Sequence, residues 1–295
     1  MYESFYGFRE KPFSLTPDPR FFYPSPCHAN ALELVQHGSR LPHGLTVVTG
    51  TSGTGKTTIC RTILESLDRK TFTSLVLNPY VSDDDLLRLI LQDFGVISRE
   101  EIRRGLVQGV KAMDLLRTLE EFVKSLTSLG ARALLIVDEA QKLPVAVLEQ
   151  IRKLSGLAQA APFQVVLVGQ LNLADRLRTP NLRALGQRVT IRYRLRSLTA
   201  YETAAYVRHR LSVAATEPAV PFTPKALQRV HRATGGNPRL INLLCDRALV
   251  AGFSAQEPTI EPVTVDHAAA GLRLESGGGV TDTVLGWVRR RAAAL

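Results

Sequence analysis

The sequence contains no run of about 18 apolar residues and only three cysteines, and each scarcity excludes a class of protein. Without such a run, no segment predicts a membrane-spanning helix. No basic and then apolar secretion signal follows Met1, so we expect a cytoplasmic protein. Cys27, Cys60 and Cys245 form no CxxC pair and have no histidines at ligand spacing. This pattern argues against a metal cluster and predicts reduced, mostly buried thiols.

Acidic residues are nearly absent between residues 176 and 210, a stretch with nine arginines, no lysine and one acid, Glu202. The whole chain has a net charge of +10. The stretch is compatible with a solvated basic face, with a surface for nucleic acid or an acidic partner, and with arginines that reach the nucleotide of a neighbouring subunit. Charge alone leaves these interpretations open, so DNA remains a candidate partner.

Apolar periodicity predicts an α/β domain over residues 45–197. With 295 residues, 45% of them hydrophobic, the chain is long enough for two domains with their own cores. Short apolar runs alternate with helical patterns in this region, as in a parallel sheet covered on both faces. The predicted strands cover residues 45–49, 74–77, 133–137, 164–168 and 189–193, and the predicted helices cover residues 57–67, 84–94, 114–129 and 145–159.

The residues after the first predicted strand form the pattern G-x-x-x-x-G-K-T. Glycines in such a loop let backbone N–H groups turn inward around a phosphate, and the start of the next helix adds its partial positive charge. We expect Lys56 to reach the β- and γ-phosphate oxygens and the Thr57 hydroxyl to bind Mg²⁺. The pattern therefore predicts a nucleotide site whose phosphates contact Gly50, Gly53, Thr54, Gly55, Lys56, Thr57 and Thr58.

Apolar residues lead into two adjacent acids, Asp138 and Glu139, at the end of a predicted strand. Adjacent acids there are costly unless a cation lies beside them, so the pair fits a phosphate loop that binds Mg²⁺. We expect Asp138 to hold Mg²⁺ and Glu139 to orient and activate the attacking water. A strand and two helical patterns separate the two motifs, and no guanine-reading NKxD motif occurs. The spacing therefore favours an ATPase over a GTPase.

Residues near the last two predicted strands extend the candidate site. Gln170 follows the strand at 164–168, where it could contact the γ-phosphate or the water, with Asn172 as the alternative. Arg188 lies just before the last strand, at the domain edge. An arginine there could project into a neighbouring subunit's site as a finger, with Arg183 as the alternative.

The β pattern stops near residue 198, and residues 198–273 predict a small all-α lid domain with helices at 199–211, 224–233, 238–251 and 263–272. Asn237 and Pro238 predict a helix start, which puts Arg239 in the first turn, where a cation opposes the helix dipole. A locally unfavourable residue points to a function. Arg239 could bind the γ-phosphate and couple the two domains to the nucleotide state.

The two ends of the chain differ from both domains. Residues 1–44 begin with eight aromatic residues and three prolines within 23 positions. We expect an irregular segment packed on the ATPase core, either as plain core packing or as lining of the adenine pocket. Residues 274–295 predict a flexible basic tail. Its run from Trp287 to Arg291 would suit the cytoplasmic face of the inner membrane, and a disordered tail is the alternative.

The ordered set of motifs resembles the AAA+ ATPases, and more narrowly the ExeA/GspA-type ATPases associated with bacterial secretion and pilus systems. The resemblance spans about residues 1–270, and its most family-specific part is the opening segment YGFREKPFSLTPDPRFFYPSPCHANAL. The other matching stretches are TGTSGTGKTT, LLIVDEAQKLPVAVLEQIRKL, VVLVGQLNLADRL, LGQRV and GGNPRLINLLCDRAL. The family usually has a Gly-Gln-Pro-Glu-Leu run where this chain has GQLNL.

This resemblance implies roles for the candidate residues and for the protein. Lys56 and Thr57 would bind phosphate and Mg²⁺, Asp138 and Glu139 would serve metal and catalysis, and Gln170, Arg188 and Arg239 would be first sensor, finger and second sensor. The implied protein is an ATP-hydrolysing homo-oligomer, in a ring or filament, that drives assembly of a secretion, pilus or envelope-export machine. The alternative is a DNA-binding regulator of transposition that polymerises on DNA with ATP.

Overall fold

The computed structural model describes residues 2–38, 44–77, 82–105, 109–157, 161–216 and 221–272. These residues form two compact units. The sheet unit is Pro26–Arg196, and the helical unit combines the described parts of Met1–Ser25 and Ser197–Leu295. The predicted tail at residues 274–295, including its possible membrane contact, lies outside the described residues.

Five strands form the sheet: β1 (Gly44–Gly50), β2 (Thr71–Val76), β3 (Arg132–Val137), β4 (Phe163–Gly169) and β5 (Val189–Leu195). Their spatial order is β2-β3-β4-β1-β5, and every neighbouring pair is parallel. All of β4 is buried, whereas β5, at the sheet edge, alternates between exposed and partly buried residues along most of its length. The five-stranded parallel sheet predicted from the short apolar runs is thereby confirmed.

The α-helices are, in chain order, α1 (Tyr2–Phe5), α2 (Pro26–Gly38), α3 (Lys56–Ser66), α4 (Asp83–Asp93), α5 (Arg99–Arg103), α6 (Ala112–Ser128), α7 (Val145–Leu157), α8 (Asn172–Arg176), α9 (Arg183–Gln187), α10 (Ala200–Ala214), α11 (Pro224–Thr234), α12 (Pro238–Ser254) and α13 (Pro262–Gly271). Side-chain caps start many of them. Ser82 accepts from the Asp85 N–H before α4, and Thr199 forms a capping box with Glu202 before α10. None of the helices in the described ranges combines the length and the apolar composition that a membrane-spanning helix needs.

The sheet register brings three strand ends to one edge. β4 lies between β1 and β3, with Thr49 opposite Gly169 and Val137 opposite Leu167. The carboxyl end of β4 is therefore flanked by the ends of β1 and β3. In open parallel sheets this edge is where ligands bind. The fold thus collects the phosphate loop, the Asp138–Glu139 pair and Gln170 at one place.

The opening aromatic segment lies in the helical unit. Tyr2, Tyr6, Phe8, Phe13 and Phe21 belong to the same buried cluster as the apolar residues of α10–α13. This differs from the expectation that residues 1–44 pack as one segment on the ATPase core, because only α2, from Pro26 on, belongs to the sheet unit. The physical reason is that helices α10–α13 supply the apolar surface on which the irregular segment packs. Arg210 adds hydrogen bonds to the segment. Of the two interpretations offered for its aromatic residues, core packing describes these five.

Candidate functional site

The loop between β1 and α3 has the backbone that its glycines predict. Gly53 and Gly55 have φ angles of +82° and +93°, in the left-handed region that favours glycine. A Cβ on Gly50 would lie 2.7 Å from Thr54 Oγ1, so the loop closes too tightly for a side chain there. The Thr54 hydroxyl in turn donates to the Thr51 carbonyl at 2.8 Å. The loop is thus a tight turn that ends in the first residue of α3.

Lys56 is the first residue of α3, and its side chain folds back over the loop. Its ammonium donates to the carbonyls of Gly50 at 3.1 Å and Thr51 at 2.9 Å. Burial lowers the pKa of Lys56, and the negative charges of Glu139 and Asp138 oppose this shift. The cation therefore lies near the two acids, in a loop where a phosphate could replace the carbonyls as its partner.

Thr57 and Asp138 meet at the same point. Thr57 Oγ1 donates a hydrogen bond to Asp138 Oδ2 at 2.5 Å, and Asp138 is buried. A hydroxyl and a carboxylate are hard oxygen donors, which suit Mg²⁺ held by few protein ligands and by substrate phosphates. Among the described residues, no group of three or more histidine, cysteine or acidic side chains gathers to hold a metal without such help. The donor set fits Mg²⁺ that arrives with a nucleotide.

Glu139 has a backbone conformation that is uncommon for its residue type. Its φ of +52° and ψ of +31° lie in the left-handed helical region, which costs about 1 kcal/mol or more for a residue other than glycine. The carboxylate oxygen Oε2 accepts from Gln141 Nε2 at 3.0 Å and pairs with Lys142 Nζ at 2.8 Å. Burial works to raise the pKa of Glu139, but these two partners and the charge of Lys56 lower it overall. Its carboxyl group is therefore held ionised.

Gln170 directly follows β4, beside these acids. Its backbone N–H donates to Gln141 Oε1 at 3.0 Å, while Asn172 begins α8. The register therefore brings Gln170 to the sheet edge that carries Asp138 and Glu139. The choice between Gln170 and Asn172 as sensor remains a prediction.

Sequence reasoning missed two buried polar residues of the site. Gln141 contacts both Glu139 and Gln170, and its only sequence signal is its position two residues after the acid pair. His28, in the first turn of α2, is also buried, and its Nε2 lies 2.8 Å from the Thr54 carbonyl in the phosphate loop. A Cβ on Gly55 would lie 3.1 Å from this nitrogen. His28 therefore packs directly against the loop, although it lies far from the loop motif in sequence.

The arginines between residues 176 and 210 differ in their surroundings. Arg176 donates to the carbonyls of Gln141 and Leu143, and Arg192 to the carbonyl of Gly186. Arg210 is buried in the helical unit, whereas Arg194 is exposed on β5. Arg176 and Arg210 are thus committed to contacts within the chain, while Arg192 and Arg194 remain exposed.

The two finger candidates differ in their surroundings. Arg188 Nη1 donates to the Arg152 carbonyl at 3.2 Å and lies beside Gly156, where a Cβ would approach it to 2.8 Å. The Arg188 guanidinium is thus held against the last turns of α7. Arg183 is an exposed residue at the start of α9. Both candidates therefore belong to the sheet unit, and the choice between them remains a prediction.

Arg239 belongs to the helical unit. As the sequence predicts, Asn237 caps α12, with its side chain accepting from the N–H groups of Arg239 and Leu240, and Pro238 is the first helical residue. Gly236 is required before this cap, since a Cβ there would collide with the Leu198 carbonyl at 1.8 Å. The turn thus fixes the start of α12 and leaves Arg239 exposed in its first turn.

The chain is similar to a known domain family and to a known protein. Residues 40–177 match the AAA domain family. A general secretion pathway protein A from Aeromonas hydrophila is 43% identical over 257 residues, which cover 86% of this chain. The chain spans only 45% of the length of that relative.

Solved structures share the fold at low sequence identity. Cdc6p from Pyrobaculum aerophilum has a TM-score of 0.65 and 17% identity, over 89% of this chain and 71% of its own. The ORC1 protein of Aeropyrum pernix, solved in complex with DNA, has a TM-score of 0.61 and 16% identity, over 90% of this chain and 70% of its own. At such identities the likeness concerns the fold alone.

Proposed function

The chain belongs to the AAA+ ATPases of the general secretion pathway protein A type, and from this premise we propose that it binds Mg·ATP at the phosphate loop and hydrolyses it. The observation that carries the proposal is the meeting of Thr57 and Asp138, whose side chains hydrogen bond at 2.5 Å directly beside Lys56 and Glu139. One loop and one strand end thereby supply a cation for the phosphates, two oxygen ligands for a metal, and a base.

Each residue has a distinct task in this proposal. Gly50 and the loop from Gly53 to Thr58 surround the phosphates, Lys56 exchanges its loop carbonyls for phosphate oxygens, and Thr57 and Asp138 hold the metal. Bound Mg²⁺ would offset the negative charge of the β- and γ-phosphates. Gln170 contacts the γ-phosphate or the attacking water.

Glu139 is the proposed general base. Its carboxylate is held ionised by nearby donors, as a base at neutral pH must be. It orients a water whose oxygen attacks the γ-phosphorus. As that bond forms, the bond from the γ-phosphorus to the β,γ-bridging oxygen breaks, the bridging oxygen leaves with ADP, and Glu139 accepts the water's proton.

Subunit contact would complete the site. We assign Arg188 as the finger that reaches the nucleotide of a neighbouring copy, with Arg183 as the alternative, and Arg239 as the lid residue that contacts the γ-phosphate. An arginine finger contributes about 10³- to 10⁵-fold to phosphoryl transfer in known cases. Binding and hydrolysis would then shift subunit packing, because each nucleotide state contacts these arginines differently.

The proposed biological role rests on the relative's name. We propose that a ring or filament of this chain works at the cytoplasmic face of the inner membrane and drives assembly or remodelling of a secretion or envelope-export machine. DNA-dependent polymerisation is the alternative. It has less support, because Arg176, Arg192 and Arg210 donate to backbone carbonyls of their own chain.

Assembly is the property that separates these roles. The particle mass of the purified chain would be measured without nucleotide, with Mg·ADP and with Mg·ATP, each with and without double-stranded DNA at two salt concentrations. The variants are Arg188→Ala and Arg183→Ala, with Arg208→Ala, an exposed arginine of the helical unit, as control. The phosphate-release rate is recorded in the same samples.

We expect Mg·ATP alone to increase the particle mass and the phosphate-release rate together, and we expect DNA to change neither. One finger variant should lose at least about 100-fold in rate in the assembled state, while Arg208→Ala behaves as wild type. Assembly that requires DNA and disappears at high salt would replace the secretion role with the DNA-binding one. A monomer under all conditions would contradict both.

A further inference from the structure

The side chain of Gln141 connects the two strand ends that carry the proposed base and sensor. Its Nε2 donates to Glu139 Oε2 at 3.0 Å, and its Oε1 accepts from the Gln170 N–H at 3.0 Å. The two contacts fix the orientation of the carboxamide, since a flip would put a donor against the N–H and an acceptor against the carboxylate. Gln141 is buried, with 7% exposure, so water competes little for either bond.

The surroundings are shaped to hold this carboxamide. Gly169, the last residue of β4, leaves the space, because a Cβ there would lie 2.7 Å from Gln141 Oε1. Arg176 holds the backbone on the other side by donating to the carbonyls of Gln141 and Leu143. The side chain and the backbone of Gln141 are thus both fixed, one from β4 and the other from α8.

The position of Gln141 matters because Glu139 has few other constraints. The carboxylate's other partner, Lys142, is 48% exposed in its side chain, and an exposed ion pair orients its members weakly. The buried amide is the better-defined contact. Through this amide, the end of β4 determines the direction of the Glu139 carboxylate.

We propose that Gln141 is a positioning residue that sets the direction of the Glu139 carboxylate from the tip of β4, so that a displacement of Gln170 is passed to the base. The inference rests on the proposed function, in which Glu139 activates water and Gln170 contacts the γ-phosphate or that water. Gln141 acts through these two residues and touches no substrate. It therefore affects the chemical step and leaves nucleotide binding unchanged.

The test compares substitutions that remove one or both contacts in the full chain. Gln141→Met keeps the volume and loses both hydrogen bonds, whereas Gln141→Glu keeps the acceptor for Gln170 and loses the donor to Glu139. Gln150→Met is the matched control, because Gln150 is equally buried, at 6%, on α7. The readouts are kcat, KM, the Kd for a fluorescent ADP with Mg²⁺, and the melting temperature.

We expect both Gln141 variants to lower kcat at least about tenfold. This loss is smaller than the one expected when the base is removed, because the proton acceptor is still present and is only misaligned. KM and Kd should stay within about twofold of wild type, as for an interaction made only in the chemical step. Gln150→Met should match wild type in kcat. A wild-type kcat in Gln141→Met would overturn the proposal, as would a kcat loss with an equal rise in Kd.

A double-mutant cycle isolates the action through Glu139. In a Glu139→Gln background, adding Gln141→Met should change the residual single-turnover rate by less than about twofold, because the base is already absent. The same factor in both backgrounds would mean that Gln141 acts independently of Glu139, and the proposal fails. If Gln141→Met does not fold, Gly169→Ala displaces the intact Gln141 side chain and should lower kcat in the same way.

Failure of the proposed function and failure of the positioning role of Gln141 give different results. If Glu139→Gln hydrolyses ATP at the wild-type rate, the proposed function is wrong and the role of Gln141 falls with it. If Glu139→Gln is inactive and Gln141→Met and Gly169→Ala are both wild type in kcat, only the positioning role is wrong.

Discussion

Thr57 Oγ1 donates a hydrogen bond to Asp138 Oδ2 at 2.5 Å, so the first turn of α3 is joined directly to the end of β3. Eighty-one positions separate the two residues in sequence. They meet because β4 lies between β1 and β3 and aligns the three carboxyl ends. The contact joins the two halves of the candidate metal site.

The first prediction concerns metal-dependent binding. Loss of the hydroxyl in Thr57→Ala, or of the carboxylate charge in Asp138→Asn, should weaken Mg·ADP binding about tenfold, a loss of about 1.4 kcal/mol, and leave binding in EDTA unchanged. Thr57→Ser restores the hydroxyl and should bind as wild type. The control is Thr62→Ala on α3, whose hydroxyl donates to the Thr58 carbonyl at 3.0 Å. Equal losses with and without Mg²⁺ would count against these ligands.

The second prediction concerns His28. Its Nε2 lies 2.8 Å from the Thr54 carbonyl, and the ring supports the loop beside Gly55. His28→Ala should lose about 1 kcal/mol of the free energy of Mg·ATP binding, because the loop must then order on its own. This loss corresponds to about fivefold weaker binding. Fluorescent-nucleotide titration measures this change. The exposed His267 on α13 gives the control, and an unchanged Kd in His28→Ala would refute the supporting role.

Much of the sheet unit could be predicted from the sequence because its signals are local. Residues 133–137 and 164–168 are nearly continuously apolar, with Gln164 as the exception, as is typical of buried parallel strands, and they form most of β3 and β4. The Gly50–Thr57 pattern encodes its own backbone, since Gly53 and Gly55 have positive φ angles. Asn237 and Pro238 likewise specify the start of α12 through one side-chain cap and one restricted φ.

Other features depend on contacts that sequence patterns do not encode. α5, α8 and α9 have five residues each, too few for an apolar period to stand out. The aromatic residues of the opening segment predict burial but do not say against which domain. Gln141, His28 and Arg176 are ordinary polar residues until the fold brings the β4 tip, the phosphate loop and the Leu143 carbonyl beside them.

The third prediction concerns Arg210, which anchors the aromatic segment within the helical unit. Its guanidinium donates to the carbonyls of Pro12 at 2.6 Å and Ser14 at 3.2 Å, and lies 4.7 Å from the centre of the Phe21 ring. Arg210→Met should lower the free energy of unfolding of the helical unit by about 2–3 kcal/mol, because the charged hydrogen bonds to these two carbonyls are lost. Urea unfolding followed by circular dichroism measures it.

The exposed neighbour Arg208 supplies the control for this substitution. Arg208→Met should change the unfolding free energy by less than about 0.5 kcal/mol, as is usual for surface positions. An equally small change in Arg210→Met would show that the buried guanidinium does not hold the segment.

The fourth prediction concerns pH and His209. Burial lowers the pKa of His209 and nearby Arg210 adds to the shift, while a hydrogen bond with the Phe22 backbone opposes it. Its Nε2 is buried without a hydrogen-bond partner among the described residues. The folded pKa is below the unfolded value of 6.5, so the unfolded chain binds more protons and stability falls as the pH drops through that value.

Unfolding free energies between pH 8 and pH 5 check this prediction. Wild type should lose more stability over this range than His209→Asn, which has no group that titrates there. Above about pH 7.5, where the histidine is neutral in both states, the difference between the two unfolding free energies should no longer change with pH. Parallel curves for the two proteins would exclude His209 as the source of the acid sensitivity.

The central claim is that Glu139 activates water for ATP hydrolysis at this phosphate loop. Its most direct test is the phosphate-release rate of wild type and Glu139→Gln at saturating Mg·ATP, measured with the ATP affinity of both proteins. The account predicts a rate at least about 100-fold lower in Glu139→Gln, with an ATP affinity within about threefold of wild type. Equal rates in the two proteins would contradict it.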